Sequence, residues 1–211
     1  MTVTDVFIHP FPKGDSTLLR MADTASAFGY DTVVAIGHPN TEIKGVRVLN
    51  GTIVHEKSLK AVNAAVRKRT YDIIGVQAGE NSFNRSVIQT DGVHLLTDLF
   101  QTQRNAFDHV TAKLAAKRHI AIHLDIGRII VCHGHMRQKV LSRYRELLAL
   151  QRKFGFSFAL GSGAESILGQ RSVREMVLLA ELFGMTEDET IQALGTVPDL
   201  FSGSDLPKVI R

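Results

Sequence analysis

Short runs rich in β-branched residues alternate with helical patterns along the whole chain, and this alternation limits the possible folds more than any other feature. The runs that predict strands are residues 3–8, 32–36, 46–54, 73–77, 93–96, 120–124 and 157–160. The segments between them space apolar residues three and four positions apart, as amphipathic helices do. Strands that alternate with helices pair in parallel through right-handed crossovers. We therefore predict an α/β fold of about seven parallel strands with surrounding helices, either an open doubly wound sheet or a closed barrel.

Three helix starts are predicted from their polar first residues. Ser172 with Glu175, and Thr186 with Glu189, have the Ser/Thr-x-x-Glu spacing of a capping box. Ser58 is predicted to cap the helix that follows the third strand. These starts place two helices after the last strand and one between the third and fourth.

The chain is long enough for one domain with a full-size core. It has 211 residues and no linker or low-complexity stretch, so we predict a single domain over residues 1–201 and a C-terminal tail over residues 202–211. The single Cys132 excludes an internal disulfide and fits a reducing cytoplasm. No apolar run approaches about 18 residues, so a membrane span is not expected.

The distribution of charge favours a polyanionic partner. The net charge is +4, but residues 113–153 contain ten basic and two acidic residues, a local charge of +8 that leaves −4 for the remainder. Residues 57–69 add five basic residues and no acidic one. Such asymmetry is typical of nucleic-acid binding, and solvated faces of amphipathic helices are the alternative. The absence of Trp and the presence of only three Tyr argue against a single-strand stacking platform.

A glycine-containing loop follows the last predicted strand. In Gly161-Ser162-Gly163-Ala164, successive backbone N–H groups could bind a phosphate, and Arg171 could supply a cation. A tight turn that needs positive φ is the alternative. We favour the turn, because several residues separate the loop from the next helix start.

Several histidines lie where a barrel enzyme would bind a metal. His9 and His38 follow strands, Glu80 follows the fourth strand, and His123 lies near the end of the sixth. A metal-dependent phosphoesterase that uses these four residues is the alternative hypothesis for function. The residues that follow His9 are not metal ligands, so an H-x-H pair is missing there. We therefore expect no metal site on the protein.

A set of short motifs, in a fixed order, resembles a known family. The motifs are Asn84-Arg85, Asp91-Gly92-Val93, residues 106–110, Ser162-Gly163-Ala164, Arg171-Ser172 and residues 182–187. Together they resemble archaeal ribonuclease P protein component 3 over about residues 3–200. Two places depart from that family: Val173 stands where it commonly has Pro, and residues 101–105 match it poorly.

The resemblance implies a fold, an assembly and a role. The fold is a TIM-type barrel, distantly similar to polymerase-and-histidinol-phosphatase enzymes but without their full ligand set. The assembly is the ribonucleoprotein endoribonuclease that removes 5′ leaders from precursor tRNA. In it, the RNA holds the catalytic Mg²⁺, the protein carries no cofactor, and the partners are the RNA, a small subunit called component 2 and other ribonuclease P proteins.

We expect no catalytic residue in this chain and a set of cations that contact RNA. Arg and Lys side chains neutralise phosphates and release counterions, which favours the compact RNA at lower magnesium. The residues predicted to contact RNA are first Arg85, Arg171 and Arg128, and then Arg104, Arg137, Lys139 and Arg67.

Overall fold

The computed structural model describes residues 2–202. Its strands are β1 (Thr4–Ile8), β2 (Thr32–Ile36), β3 (Thr41–Ile43), β4 (Val46–Val54), β5 (Ile73–Gln77), β6 (Leu95–Thr97), β7 (Ala121–Asp125) and β8 (Phe158–Gly161). Its helices are α1 (Leu18–Ala27), α2 (Leu59–Lys68), α3 (Asn81–Ile88), α4 (His109–Arg118), α5 (Gly127–Val131), α6 (Gly134–Phe154), α7 (Val173–Glu181), α8 (Glu187–Leu194) and α9 (Val197–Ser202). Two 3-10 turns, Leu99–Gln101 and Arg104–Ala106, separate β6 from α4.

The strands form a nearly closed barrel. Within the described residues, seven parallel strands pair in the order β1-β2-β4-β5-β6-β7-β8. The two ends of the sheet approach each other, because the Ser162 N–H directly after β8 donates to Asp5 of β1 at 2.6 Å. A Cβ at Gly161 would overlap the carbonyl oxygen of Val6, so glycine is required where β8 meets β1. The predicted barrel of about seven parallel strands is confirmed.

The pleat of the strands separates two apolar cores. Val34 of β2 aligns with Val6 and Leu49, and all three face the barrel interior. The alternate residues of the same strands face the surrounding helices, where the larger core lies. Because β1 and β2 are buried on both faces, their sequences are the short apolar, β-branched runs from which they were predicted.

The ring of Phe7 fills the middle of the barrel. A Cβ at Gly75 would lie 2.7 Å from the Phe7 ring, and one at Gly51 would lie 2.5 Å from a methyl of Val34. These two glycines therefore make room for large side chains from neighbouring strands. The Asn50-Gly51 pair lies within the third predicted strand. Because Gly51 makes room for Val34, β4 continues through this pair without a break.

One strand was missed from the sequence. β3 pairs antiparallel with the start of β4, and the turn between them uses Lys44 at φ 51° and Gly45 at φ 80°. Positive φ at both central residues is the geometry of a two-residue hairpin. The three residues of β3 are exposed or half-buried, so their sequence lacks the β-branched apolar run that predicted the other strands.

The predicted helix starts are confirmed, with one correction. Ser172 with Glu175 and Thr186 with Glu189 form reciprocal capping boxes. Ser58 does precede α2, but its side chain makes no capping hydrogen bond. The predicted C-terminal tail, residues 202–211, lies outside the described residues apart from Ser202. None of the helices in residues 2–202 combines the length and hydropathy that crossing a membrane requires.

Candidate nucleic-acid interface

The barrel mouth at the carboxyl ends of the strands contains two of the four residues considered for a metal. His9, directly after β1, is buried, and its Nδ1 lies 3.2 Å from Lys13 Nζ. His123 of β7 is also buried; its Nδ1 lies 3.1 Å from Thr97 Oγ1. Its ring packs edge-on against Phe7 at 5.0 Å. Both imidazoles are therefore held by the barrel itself.

Burial keeps both of these histidines neutral. Desolvation, with the charges of Lys13 and Arg128, lowers the pKa of His9 to about 4. Desolvation also lowers the pKa of His123 to about 3, and His9 and Arg128 add to that effect. Burial raises the pKa of Asp125 at the end of β7 to about 6, although the Arg128 charge opposes the rise.

The other two residues of that set lie elsewhere. His38 is half-buried, and its Nε2 lies 3.1 Å from the carbonyl oxygen of Phe11. Glu80 is exposed at the start of α3 and lines a different cleft. Within the part of the chain that the structure describes, no group of three or more His, Cys, Asp or Glu side chains could hold a metal ion. These residues do not fit the metal centre that the phosphoesterase hypothesis requires.

The glycine-containing loop after β8 makes hydrogen bonds within the protein. Asp5 of β1 accepts hydrogen bonds from the Ser162 N–H at 2.6 Å and the Ser162 hydroxyl at 2.7 Å. The hydroxyl in turn accepts from the Ala164 N–H at 3.3 Å, and Gly163 has a φ of 60°. Burial raises the pKa of Asp5 to about 6 against these hydrogen bonds. The N–H groups of Ser162 and Ala164 could have bound a phosphate, but both already donate to acceptors within the protein. This favours a tight turn over a phosphate-binding loop.

Arg128 and Arg171 line one concavity at the rim of the barrel, beside this loop. The concavity has a volume of about 310 Å³. Arg128 pairs with Asp125 at 2.9 Å and lies 5.7 Å from the centre of the Phe100 ring. Arg171 donates to the carbonyl oxygens of Leu168 and Gln170 at 2.8 and 2.6 Å. The structure thus brings these two predicted contacts together, with both guanidinium groups oriented by the protein.

Arg85 projects from α3 towards the start of α4. Its Nη2 lies 2.8 Å from Asp108 Oδ2, and its Nε donates to Thr111 Oγ1 at 3.3 Å. Partial desolvation acts to raise the pKa of Asp108, but the hydrogen bonds from Thr111 and the charge of Arg85 lower it to about 2. Asp108 is therefore ionised at neutral pH, and it neutralises part of the Arg85 charge.

Arg104 and Lys139 lie along a groove that we call the basic groove. It consists of two adjoining concavities, of about 550 and 760 Å³, that share Arg104, Ser142, Arg143 and Glu146. Arg104 pairs with Glu146 at 3.3 Å but is 82% exposed. Lys139 is also exposed. Two predicted contacts therefore share one face of the molecule.

The remaining two predicted contacts are isolated from these clusters. Arg137 donates to the carbonyl oxygens of Cys132 and Ile130, at 2.9 and 3.2 Å, in the turn that joins α5 to α6. Arg67 is exposed in the last turn of α2. Arg137 therefore stabilises the turn between α5 and α6, whereas the Arg67 side chain is exposed to solvent.

The charge of residues 113–153 indicated α6, but Arg143, Arg145 and Lys153 were not among the contacts predicted from the sequence. Arg143, Arg145 and Lys153 line the basic groove together with Lys139. Residues 139, 143, 146, 150 and 153 are spaced three and four apart, so they occupy one helix face. That spacing was the available signal, but charged helix faces are more often merely solvated. Arg143 is buried, which its sequence context does not indicate.

Comparison with known proteins identifies the family of this chain. Residues 2–201 match the family described as RNase P subunit p30. A relative named ribonuclease P protein component 3, from Methanococcoides burtonii, is 30% identical over 92% of this chain and 84% of its own length. Another of the same name, from Methanosarcina acetivorans, is 28% identical over 96% of this chain and 90% of its own.

Solved structures share the fold. A chain in the cryo-EM structure of archaeal ribonuclease P with mature tRNA has a TM-score of 0.77 and 18% identity, covering 99% of this chain and 95% of that one. Histidinol phosphate phosphatase from Lactococcus lactis, complexed with zinc, has a TM-score of 0.59 and 9% identity over 90% of this chain and 94% of that one. The resemblance inferred from sequence is confirmed, and the chain belongs to the RNase P subunit p30 family.

Proposed function

We propose that this chain is a protein component of a ribonuclease P that removes 5′ leaders from precursor tRNA. Its contribution is binding of RNA, and the cleavage chemistry resides in the RNA. Family membership over residues 2–201 supports the assembly. The names of the relatives support the identification with component 3.

The basic groove is the observation that carries the binding role. Of the described residues that line it, five are Arg or Lys and two are carboxylates. Glu146 is shared between Arg104 and Arg143, at 3.3 and 3.1 Å. The groove therefore retains an excess of positive charge that internal pairing does not remove. Such a groove attracts the phosphates of a folded RNA.

The physical effect of the protein is to reduce repulsion between RNA phosphates. Each neutralised phosphate releases condensed counterions, so the compact RNA needs less magnesium. We infer that the catalytic Mg²⁺ is held by the RNA. The arrangement of carboxylates and imidazoles in residues 2–202, which offers a metal no convergent ligand set, supports this assignment.

The partners follow from the same proposal. They are the ribonuclease P RNA, component 2, the other ribonuclease P proteins and, through the holoenzyme, precursor tRNA. We place the assembly in the cytoplasm, whose reducing environment fits the single free cysteine, Cys132.

RNA binding at different salt concentrations tests the role of the groove. We compare the wild type with a triple variant, Arg104→Ala, Lys139→Ala and Arg145→Ala, on ribonuclease P RNA from the same genome. The affinity should fall, and the slope of log affinity against log salt should become shallower by up to about 3, one for each lost phosphate contact. Single Arg85→Ala and Arg171→Ala variants test those predicted contacts in the same way.

The matched control removes three exposed cations elsewhere. Arg20→Ala, Lys44→Ala and Arg47→Ala change the net charge equally, and none of these residues lines the groove. An equal loss of affinity in both triple variants would refute the groove as the binding surface. If precursor-tRNA cleavage by the RNA with component 2 at low magnesium does not increase when this chain is added, the proposed function is wrong.

A further inference from the structure

A further concavity, which we call the amide cleft, opens beside the basic groove. It has a volume of about 720 Å³, within the range of about 300–1,000 Å³ typical of small-ligand sites. One wall is the β5–α3 loop and the first turns of α3, and the other is residues 101–106. The polar side chains that matter here are Lys57, Glu80, Arg85, Gln101, Gln103 and Asn105.

Hydrogen bonds, two of them buried, hold the two walls at a fixed separation. Asn84, fully buried in α3, accepts from the Gly79 N–H at 2.8 Å and donates to the Ala106 carbonyl at 2.8 Å. Asn81 donates to the Asn105 carbonyl at 2.9 Å. The cleft is therefore a preformed feature of the fold, because its floor is built from satisfied polar groups.

The side chains above that floor are available to a ligand. In residues 2–202, the amide groups of Gln101, Gln103 and Asn105 make no side-chain hydrogen bond, and all three residues are exposed. Each amide presents a donor and an acceptor in one plane. The Glu80 carboxylate adds an acceptor, and Lys57 and Arg85 add positive charge at the edge of the cleft. Planar donor–acceptor groups next to cations match a nucleobase joined to a phosphate.

We propose that the amide cleft binds one unpaired nucleotide of an RNA. The amides and Glu80 contact the edge of the base, and Lys57 and Arg85 contact its phosphate. RNA-binding proteins read sequence mainly from unpaired bases, whose edges are free for such contacts. This inference rests on the proposed function, since the cleft adjoins the basic groove through Asn105 and would receive a nucleotide of the same RNA.

The first test uses mononucleotides and the whole ¹⁵N-labelled chain. AMP, GMP, CMP and UMP are titrated at millimolar concentration while the side-chain amide resonances of Gln101, Gln103 and Asn105 are followed by NMR. At least one nucleotide should shift these resonances clearly more than ribose 5-phosphate, which has the phosphate but lacks the base. Equal shifts with ribose 5-phosphate, or no shift with any nucleotide, would overturn the proposal.

The second test separates this inference from the proposed function. The double variant Gln101→Ala and Gln103→Ala, whose side chains line the cleft and not the basic groove, should weaken binding to ribonuclease P RNA about fivefold to tenfold, with an unchanged salt slope because no charge is lost. Its control, Gln89→Ala with Gln192→Ala, removes two exposed amides outside the cleft and should bind as the wild type does. If the cleft variant also binds normally while the basic-groove variant is weakened, the cleft proposal is wrong and the proposed function stands. If wild-type protein does not bind the RNA, both are wrong.

Discussion

The Asn84 side chain is the sharpest test of how the interface is built, and Asn84→Ala should destabilise the protein by about 3 kcal/mol. The substitution leaves three groups without their partner: the Gly79 N–H and the Ala106 carbonyl, each 2.8 Å from the Asn84 side chain, and the Gly79 carbonyl at 3.1 Å. Gly79 and Ala106 are both buried, so solvent does not replace the lost bonds. An unsatisfied buried polar group costs about 1–3 kcal/mol, so three such groups at the lower end of that range give the predicted loss.

Chemical unfolding followed by circular dichroism measures this loss directly. The control is Gln89→Ala at the exposed end of the same helix, which should change the unfolding free energy by less than about 0.5 kcal/mol. A loss below about 1 kcal/mol for Asn84→Ala would refute the reasoning, because it would mean that the three groups left without Asn84 find other partners. The loss is a large part of the 5–15 kcal/mol that stabilises a typical domain.

Two further predictions concern stability. Glu189→Ala removes both a capping box and a two-point ion pair with Arg152, at 2.7 and 2.9 Å. We therefore expect the free energy of unfolding, measured by thermal unfolding, to fall by about 1–2 kcal/mol. The control, Asp188→Ala at the neighbouring position, should lower it by about 0.5 kcal/mol. The pKa of folded His123, about 3, lies below the ordinary 6.5, so the unfolded chain binds a proton between these values. The free energy of unfolding of the wild type, relative to that of His123→Gln, should therefore fall as pH decreases. The expected fall in chemical unfolding is about 1.4 kcal/mol per pH unit between pH 6 and 4. A difference between the two proteins that does not change with pH would contradict the burial of a neutral imidazole.

The strands could be predicted because they are short runs rich in β-branched residues, which the barrel buries on both faces in β1, β2 and β5. β2, β4 and β5 have the predicted bounds, residues 32–36, 46–54 and 73–77. β6, β7 and β8 begin and end one or two residues later than predicted, since hydrogen bonding, not apolar content, fixes the ends of a strand. The exposed β3 has no such run, so only its positive-φ turn could have indicated it.

The interface could be predicted only in outline. The concentration of positive charge in residues 113–153 did identify α6, which lines the basic groove. The pairing of the individual cations could not be predicted, because Arg85 meets Asp108 and Arg104 meets Glu146 across different elements. The amides of the cleft lie in 3-10 turns without periodicity. Residues 101–105 therefore looked like a poor family match and gave no structural signal.

The charges of the barrel mouth explain why binding is placed outside it. Arg128 pairs with Asp125 there. Its positive charge also acts to lower the pKa values of His9, His123 and Asp98. A divalent cation at this position would be repelled by the Arg128 guanidinium, and within residues 2–202 no third His, Cys, Asp or Glu side chain joins His9 and His123 in a ligand set. The mouth is thus a packed and internally neutralised part of the scaffold. The uncompensated cations lie instead along α6, where a rigid barrel presents them on an open face that a folded RNA can reach.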